Sequence, residues 1–360
     1  MNMIAGNKGD WSEIYVLLKL LGDNNLFAGD AALNKIESLF YPIIKIIRAE
    51  SGGDFEYIVD GDIILISSES EVLRIPVSTF SMEAAKLLEA IRESTGVFSL
   101  PETEEFMNSI YCKTLKAKST VKTDIRIVIH DLRINQSIDL GFSIKSQLGG
   151  DSTLLNAGKT TNFIYEISDA SLVESQVERI NQIDSRSKIK DRIAEVFLVG
   201  GRLKFISLEQ DIFRNNLVLI DSMLPNILSE IVLLFYTSNL NSVKELCEQI
   251  SILNPLNFDN QHSHSFYEYK IKRFLTDVAL GMMPSKVWSG QYDATGGYLV
   301  VKENGDVLCY HIYNRNQFED YLYENTKLET ASSTRHEFGT IYKTEEGLLR
   351  FKLNLQIRFK

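Results

Sequence analysis

The sequence predicts a mixed α and β fold (α+β or α/β), in which helices flank a mixed β-sheet and a β-rich part ends the chain. Three segments carry this prediction. Residues Trp11–Leu21 repeat apolar side chains at helical spacing, and residues Thr123–Gly150 contain two runs of alternating apolar and polar side chains around a short polar loop. Residues Leu349–Phe359 alternate strictly between apolar and polar side chains, which is typical of a strand with one buried face.

Composition limits the kind of protein. The chain has 360 residues, of which 44% are hydrophobic, enough for one large domain or two modest ones. It lacks an uncharged apolar run of about 18 residues, and its first ten residues lack the charged and then apolar pattern of a signal peptide. Three widely spaced cysteines suit neither a metal quartet nor a disulfide framework, so we expect a cytoplasmic protein with no membrane partner.

The first third predicts an α+β region. The helix over Trp11–Leu21 has Asp10 and Ser12 as candidate caps, and Glu13 lies on the flank of its apolar stripe. Glu13 is either an ordinary acidic residue of a first helical turn or a ligand that the helix delivers to an active site. The next predicted elements are a helix over Asp30–Leu39, strands over Pro42–Ala49 and Phe55–Ser67 with a turn at Asp60–Gly61, and helices over Ser81–Glu93 and Glu102–Leu115.

The central hairpin carries an unusual row of polar side chains. The second run of Thr123–Gly150 turns one set of residues to the face opposite its apolar side chains: Asp139, Gly141, Ser143, Lys145 and Gln147. Asp124 stands at the head of the first run. An acid at the head of one strand and a lysine within the next resembles the arrangement of the PD-(D/E)XK nucleases.

The chemistry of phosphodiester hydrolysis explains those residue types. Mg²⁺, held by a few carboxylates, polarises the phosphoryl oxygen and lowers the pKa of the attacking water. Asp124 would bind Mg²⁺, and Lys145 would orient or deprotonate the water. Ser143 stands two residues before the lysine, where the motif has Asp or Glu. The missing carboxylate could come from Asp139 or Glu13, and spacing alone leaves a charged rim on a half-exposed sheet as the alternative.

DNA is a candidate partner despite a net charge of −10, because a DNA site needs only a local basic surface. Basic clusters lie within residues 113–126, 186–192 and 270–273, although each could be a solvated face of an acidic protein. The first cluster, which includes Lys122 and Arg126, leads into the hairpin. The polar loop over Gly149–Thr161 could bind phosphate through backbone amides and hydroxyl groups.

The remaining segments predict further helices and then more strands. The predicted elements are a strand over Asn162–Ile167, helices over Asn216–Thr237 and Ser242–Ile252, a hairpin of Tyr298–Val301 and Val307–Tyr313 around Asn304–Gly305, and a helix over Gln317–Tyr323. In the last strand, Arg350 and Lys352 lie on a basic and amide face. That face could contact DNA or simply face water.

Beyond these signals, the chain resembles the HpaII type II restriction endonucleases nearly from end to end. The resemblance rests on long stretches in the same order: Gly6–Tyr15, Asp124–Asp131, Leu140–Gly150, Ser152–Ile167, Ala294–Leu322, Asn325–Tyr342 and Lys352–Phe359. It implies a PD-(D/E)XK restriction-endonuclease-like core and Mg²⁺-dependent cleavage of both strands of DNA, with 5′-phosphate ends. By analogy the site is CCGG, and a cognate cytosine DNA methyltransferase would protect it.

The resemblance also implies roles for particular residues. Asp124 and Lys145 match the nuclease motif, Ser143 belongs to the family-like string Ser143–Lys145, and Gln147 and Glu13 are supporting residues. The string Ser332, Ser333, Arg335 and His336 resembles a recurring C-terminal element of restriction enzymes and could contact DNA. With the basic cluster, the polar loop and the strands already described, the candidates for DNA contact are Lys122, Arg126, Ser152, Asn156, Lys159, Thr161, Asn162, Ser332, Ser333, Arg335, His336, Arg350 and Lys352.

We expect an N-terminal region over residues 1–115 that contributes a helix to the active site. A catalytic core follows over residues 116–207, and a helical and DNA-recognition region over residues 208–360. Either a monomer or a homodimer could cut both strands. The alternatives are a structure-specific DNA repair nuclease and a catalytically inactive DNA-binding protein.

Overall fold

A computed structural model of the protein describes residues 4–50, 53–68, 71–116 and 123–360. The chain forms two compact units. Unit 1 comprises Met1–Ser152 and Tyr292–Tyr321, and unit 2 comprises Thr153–Gln291 and Leu322–Lys360. These divisions differ from the expected boundaries at residues 115 and 207, because each unit combines segments that are far apart in the sequence.

Strands and helices are both abundant, which confirms the predicted mixed α and β class. The strands are β1 (Asn25–Gly29), β2 (Lys35–Glu50), β3 (Gly53–Asp60), β4 (Ile63–Ser68), β5 (Glu71–Pro76), β6 (Ile125–Asp131), β7 (Gln136–Ser146), β8 (Thr153–Leu155), β9 (Asn162–Ser168), β10 (Arg202–Leu208), β11 (Gly297–Val301), β12 (Val307–His311), β13 (Thr326–Leu328), β14 (Ile341–Lys343), β15 (Leu349–Asn354) and β16 (Ile357–Phe359). The helices are α1 (Lys8–Asp23), α2 (Val77–Glu93), α3 (Pro101–Ser109), α4 (Glu174–Asn181), α5 (Lys188–Leu198), α6 (Asp211–Ile220), α7 (Leu224–Thr237), α8 (Val243–Leu253), α9 (Phe266–Leu280), α10 (Arg315–Glu324) and α11 (Ser333–His336).

Unit 1 is organised around one large mixed sheet. Among the described residues its nine strands follow the order β1-β12-β11-β7-β6-β2-β3-β4-β5. The pairs β1–β12 and β11–β7 are parallel, whereas the predicted hairpin β6–β7 is antiparallel, with Ile125 opposite Phe142. The parallel partner β11 comes from a segment about 150 residues later in the chain than β7, so the sheet brings a distant strand beside the hairpin.

Helix α1 packs against this sheet and against α2. Its N-cap is Asn7, whose side chain accepts a hydrogen bond from the Asp10 backbone, while the Asp10 carboxylate accepts one from the Asn7 backbone. The predicted helix over Trp11–Leu21 is confirmed, but its cap is Asn7, and neither expected cap takes that place. The apolar stripe is buried to 2% exposure or less at Trp11, Ile14, Tyr15, Leu18 and Leu21.

The helix predicted over Asp30–Leu39 is wrong. The Asp30 carboxylate accepts hydrogen bonds from the backbone N–H groups of Ala32 and Asn34, and Leu33 adopts a positive φ of 62°. A side chain that closes a turn in this way competes with helix formation. The chain therefore turns back, and β2 begins at Lys35 and pairs with β1.

Unit 2 contains two small sheets and most of the later helices. Their strand orders are β10-β9-β15-β14 and β13-β16-β8. The predicted strand over Leu349–Phe359 divides after Asn354, because β15 pairs with β9 whereas β16 pairs with β13 and β8.

The predicted helix over Asn216–Thr237 is also divided, into α6 and α7. Asp221 is extended there, and its carboxylate accepts a hydrogen bond from the Met223 backbone. Within the described ranges no single helix is long and apolar enough to cross a membrane. Helices α6 and α7 meet that test of length and composition together, although a bend of 110° separates them.

A buried histidine in unit 1 makes the stability of the fold depend on pH. His311 on β12 is 1% exposed and lies among aromatic rings, with its centroid 5.3 Å from that of Tyr41 and 6.0 Å from that of Phe142. Its Nδ1 accepts a hydrogen bond from the Tyr313 backbone, and its Nε2 has no partner in the described part of the chain. Burial, together with the charge of Arg133, lowers the pKa of His311 from 6.5 to about 4.

We expect the protein to lose stability on acidification because of His311. As the pH falls below 6.5 the unfolded chain binds a proton at this residue, whereas the folded chain binds it only near pH 4. The free energy of unfolding should therefore fall by about 2 kcal/mol more between pH 7 and pH 5 in the wild type than in His311→Asn. Urea denaturation of both proteins at both pH values measures this difference, and equal losses would contradict it.

Candidate active site

The β6–β7 hairpin brings Asp124 against Ser143. Asp124 directly precedes β6, and its backbone N–H donates to the carbonyl of Phe142 on β7 at 2.9 Å. Its carboxylate oxygen Oδ2 accepts two hydrogen bonds from β7, one from the Ile144 backbone at 2.7 Å and one from the Ser143 hydroxyl at 3.0 Å. Two donors on the same oxygen hold the carboxylate in one orientation.

Ser143 acts here as a hydrogen-bond donor to Asp124. The side chain is 7% exposed and its hydroxyl donates to the Asp124 carboxylate, a contact that an ionised carboxylate at this position could not make. Both hydrogen bonds go to Oδ2. The other oxygen, Oδ1, has no hydrogen-bond partner among the residues that the structure describes. Ser143 therefore orients Asp124 and leaves one of its oxygens available to a ligand.

Helix α1 brings Glu13 to the same place. The hydroxyls of Ser12 on α1 and Ser146 on β7 are hydrogen-bonded at 2.7 Å, which fixes the helix to the strand one residue from Lys145. Burial of the Glu13 carboxyl raises its pKa from 4.5 to about 8, and the negative charge of Asp124 adds to that shift. Glu13 and Asp124 are therefore close enough to repel each other.

Lys145 completes the cluster from the middle of β7. Its Nζ lies 5.1 Å from the centre of the Tyr298 ring, on the neighbouring parallel strand β11, where Tyr298 is in register with Ser143. Desolvation of the ammonium group lowers the pKa of Lys145, while the charges of Asp124 and Glu13 oppose that shift. One acid and one base on the hairpin and one acid on α1 thus form a single charged cluster.

Asp139 lies on the same strand face but does not join this cluster. Its carboxylate forms an ion pair with Arg126 across the hairpin, with 2.8 Å between Oδ1 and the arginine Nε. It is not among the charges that shift the pKa of Glu13 or of Lys145. Gln147 follows β7, where its backbone N–H donates to Val301, and its side chain is half-buried. Of the two candidates for the second carboxylate, the structure brings Glu13 to Asp124.

Several residues of the cluster were not predicted. The Ser12–Ser146 contact and the Tyr298 ring depend on packing between segments that are distant in the sequence, so strand alternation gives no signal for them. Lys116 also contributes: it forms an ion pair with Asp10 at 2.7 Å, and its charge lowers the pKa of Glu13. Lys116 belongs to the basic cluster predicted at residues 113–126, but its contacts with α1 were not predicted.

The donor set of the cluster suits a hard cation. The described residues contain no group of three or more His, Cys, Asp or Glu side chains placed to hold a metal ion. A pair of carboxylates is nevertheless a sufficient protein contribution for Mg²⁺, which keeps several waters and also takes oxygens from a phosphate substrate. Glu13 and Asp124 repel each other, and Oδ1 of Asp124 has no hydrogen-bond partner in the described part of the chain. Both features fit a cation bound between the two carboxylates.

Two residues predicted to contact DNA are buried in unit 2. Thr161 and Asn162 are 0% exposed, so their side chains are not available to an external ligand. The Asn162 amide instead donates to the Glu209 carboxylate at 2.7 Å and to the His336 carbonyl at 2.9 Å. The structure thus corrects both assignments: the Asn162 side chain supports the segment around α11, and the Thr161 hydroxyl is hydrogen-bonded to Gly158 and Asn354.

The other candidates for DNA contact lie nearer the surface. Lys159 is ion-paired with Glu337, and Lys352 is ion-paired with Glu209 at 2.7 Å. Ser332 caps the short helix α11, which carries Ser333, the exposed Arg335 and the half-buried His336. Asn156 is exposed, Ser152 and Arg350 are half-buried, and Lys122 lies outside the described residues.

Comparison with known proteins identifies the chain. The family model described as HpaII restriction endonuclease matches residues 7–359. The type II restriction enzyme HpaII from Haemophilus parainfluenzae is 49% identical to this chain over 359 residues, which cover 99% of this chain and 98% of that relative. No solved structure matches the chain. On the family match and the full-length identity together, the chain belongs to the HpaII restriction endonuclease family.

Proposed function

We propose that this restriction endonuclease makes Mg²⁺-dependent cuts in both strands of DNA at a short palindrome and leaves 5′-phosphate ends. The observation that carries the proposal is the meeting of Asp124, Glu13 and Lys145 from the hairpin and from α1. Two carboxylates and a lysine whose charges interact with one another are the groups that phosphodiester hydrolysis needs. The family membership and the full-length relative support the same activity.

In this proposal Asp124 and Glu13 would hold the Mg²⁺. When bound, the ion supplies polarisation of the phosphoryl oxygen and a lower pKa for a bound water. The hydrogen bonds from Ser143 and the Ile144 backbone would hold the Asp124 carboxylate in one orientation when substrate binds. The charge of a bound cation would also favour the ionised form of Glu13, whose pKa is raised in this structure.

Lys145 would act on the attacking water. Desolvation lowers the pKa of its ammonium group, so Nζ accepts a proton more readily than an exposed lysine does. In its charged form the same group stabilises negative charge that develops on the phosphate. The Tyr298 ring keeps the lysine side chain against β11 and limits its access to bulk water.

We further propose that the core of unit 1 is of the PD-(D/E)XK type. The support is an acidic residue at the head of β6, a lysine within the antiparallel strand β7, a glutamate on α1 and a parallel strand beside β7. CCGG as the recognition site, and a cognate cytosine DNA methyltransferase that protects it, follow from the resemblance to the family. Either a homodimer or a monomer that acts twice would cut both strands.

The test is digestion of unmethylated DNA by the purified protein, with Mg²⁺ and with EDTA, followed by sequencing of the fragment ends. We expect discrete fragments with Mg²⁺ alone, all ending at one short palindrome. Fragments that depend on flaps or mismatches would indicate a structure-specific repair nuclease. Tight binding to duplex DNA without any cleavage would indicate an inactive DNA-binding protein.

A further inference from the structure

Unit 2 contains a cavity of about 370 Å³ that the catalytic proposal does not use. It is lined by Arg186–Lys190, by Thr330–Thr334 and by Tyr236, and we call it the α5 cavity because α5 begins within its lining. The two lining segments are about 140 residues apart in the sequence. One supplies three cationic side chains, and the other supplies four hydroxyl groups.

The positive charge of the α5 cavity is only partly neutralised within the chain. Lys188 is ion-paired with the Asp184 carboxylate at 3.0 Å, and Lys190 donates to the Ser238 carbonyl, which carries no net charge. Arg186 is exposed and has neither a hydrogen bond nor an ion pair among the described residues. Arg186 and Lys190 therefore give the cavity positive charge for which the described residues provide no ion-pair partner.

The remaining lining suits the same kind of ligand. Thr330, Ser332, Ser333 and Thr334 provide hydroxyl groups. The first turn of α5, which is the positive end of an eleven-residue helix, also contributes to the lining, and there the Lys188 N–H donates to the Ser185 carbonyl at 3.3 Å. Guanidinium, ammonium, hydroxyl and backbone N–H groups are the donors that bind nucleic-acid phosphates. One acidic residue of this first turn, Asp191, is hydrogen-bonded to the Ser185 hydroxyl.

We infer that the α5 cavity binds a backbone phosphate of duplex DNA. The inference rests on the proposed function, and it adds a contact that is independent of base sequence and distant in the chain from the catalytic hairpin. The lining continues directly into α11, whose exposed Arg335 is itself a candidate for DNA contact. A free nucleotide fits less well, because the aromatic residue in the lining, Tyr236, is 1% exposed and its hydroxyl donates to the Asn354 carbonyl, so it offers no open face for a base.

The experiment compares Arg186→Gln with Lys204→Gln. Lys204 is an exposed cation on β10 in the same unit and does not line the cavity, so both variants lose one surface charge. Affinity for a duplex with the recognition site and for an unrelated duplex is measured in EDTA over a range of salt concentrations. We expect Arg186→Gln to weaken binding to both duplexes about tenfold and to reduce the salt slope by about one, with Lys204→Gln within about twofold of the wild type.

Several outcomes would overturn the inference while the proposed function stands. The wild type would still bind DNA and cut it with Mg²⁺, but Arg186→Gln would keep its affinity and salt slope, or Lys204→Gln would lose as much. A loss confined to the duplex with the recognition site would indicate contact with a base. Saturable binding of inorganic phosphate that Arg186→Gln abolishes without weakening DNA binding would indicate a site for a free anion. A wild type that binds no duplex would overturn the inference and the proposed function together.

Discussion

Replacing Lys145 with alanine is expected to slow DNA cleavage by about 10²–10⁴-fold, the usual range for loss of a positioned proton-transfer group. The expectation follows from the position of Lys145, whose charge interacts with Asp124 and Glu13 while its Nζ packs against the Tyr298 ring. Because the substitution leaves both carboxylates in place, it removes the group that acts on water and not the groups that hold the metal. The single-turnover rate of cleavage at saturating Mg²⁺ measures the effect.

Binding provides the control for Lys145→Ala. Affinity for the uncut duplex in EDTA should stay within about threefold of the wild type, because the Lys145 ammonium group is desolvated beside Asp124 and Glu13 and therefore releases few counter-ions from the duplex. Lys86→Ala, at an exposed lysine on α2 in the same unit, is the matched variant and should cleave at the wild-type rate. Wild-type cleavage by Lys145→Ala would remove this residue from the mechanism.

The parts of the site that are local in sequence were predictable. Asp124, Ser143 and Lys145 lie within one hairpin, where the alternation of side chains fixes which face each occupies. Alternation gives the face of the strand on which a side chain lies, but it does not indicate which other side chain that residue contacts. It therefore left Asp139 and Glu13 as alternatives, although Asp139 pairs with Arg126 and Glu13 approaches from α1.

Prediction of the fold shows the same difference between contacts that are local in sequence and contacts that are distant. Helix α1 and the β6–β7 hairpin have strong periodic patterns that their own packing satisfies, and both were predicted correctly. The helix predicted over Asp30–Leu39 was wrong because the turn closed by the Asp30 side chain and the pairing of β2 with β1 outweigh the helical pattern of the segment. The terminal run divides between two sheets because β15 and β16 have different neighbours, which alternation alone cannot indicate.

The choice between the two candidate carboxylates leads to the second large effect. Glu13→Gln is expected to slow cleavage about a thousandfold, since loss of a metal ligand costs several kcal/mol of transition-state stabilisation. Asp139→Asn should stay within about threefold of the wild type, because this carboxylate pairs with Arg126 on the exposed part of the hairpin. Cleavage rates of both variants over a range of Mg²⁺ concentrations measure the difference, and a large loss in Asp139→Asn with an active Glu13→Gln would reverse the assignment.

Stability separates a functional role of Glu13 from a structural one. Its pKa is raised from 4.5 to about 8 in the folded protein, so between these values folding disfavours the ionised carboxylate that the unfolded chain carries. The metal-free protein therefore loses stability at this residue as the pH rises from about 4.5 to 8. A neutral amide of the same shape avoids that loss, so Glu13→Gln should be at least as stable as the wild type in urea at pH 8 with EDTA. A residue kept for packing would instead lose stability when replaced, whereas a carboxylate held in place for a cation lowers metal-free stability and raises activity.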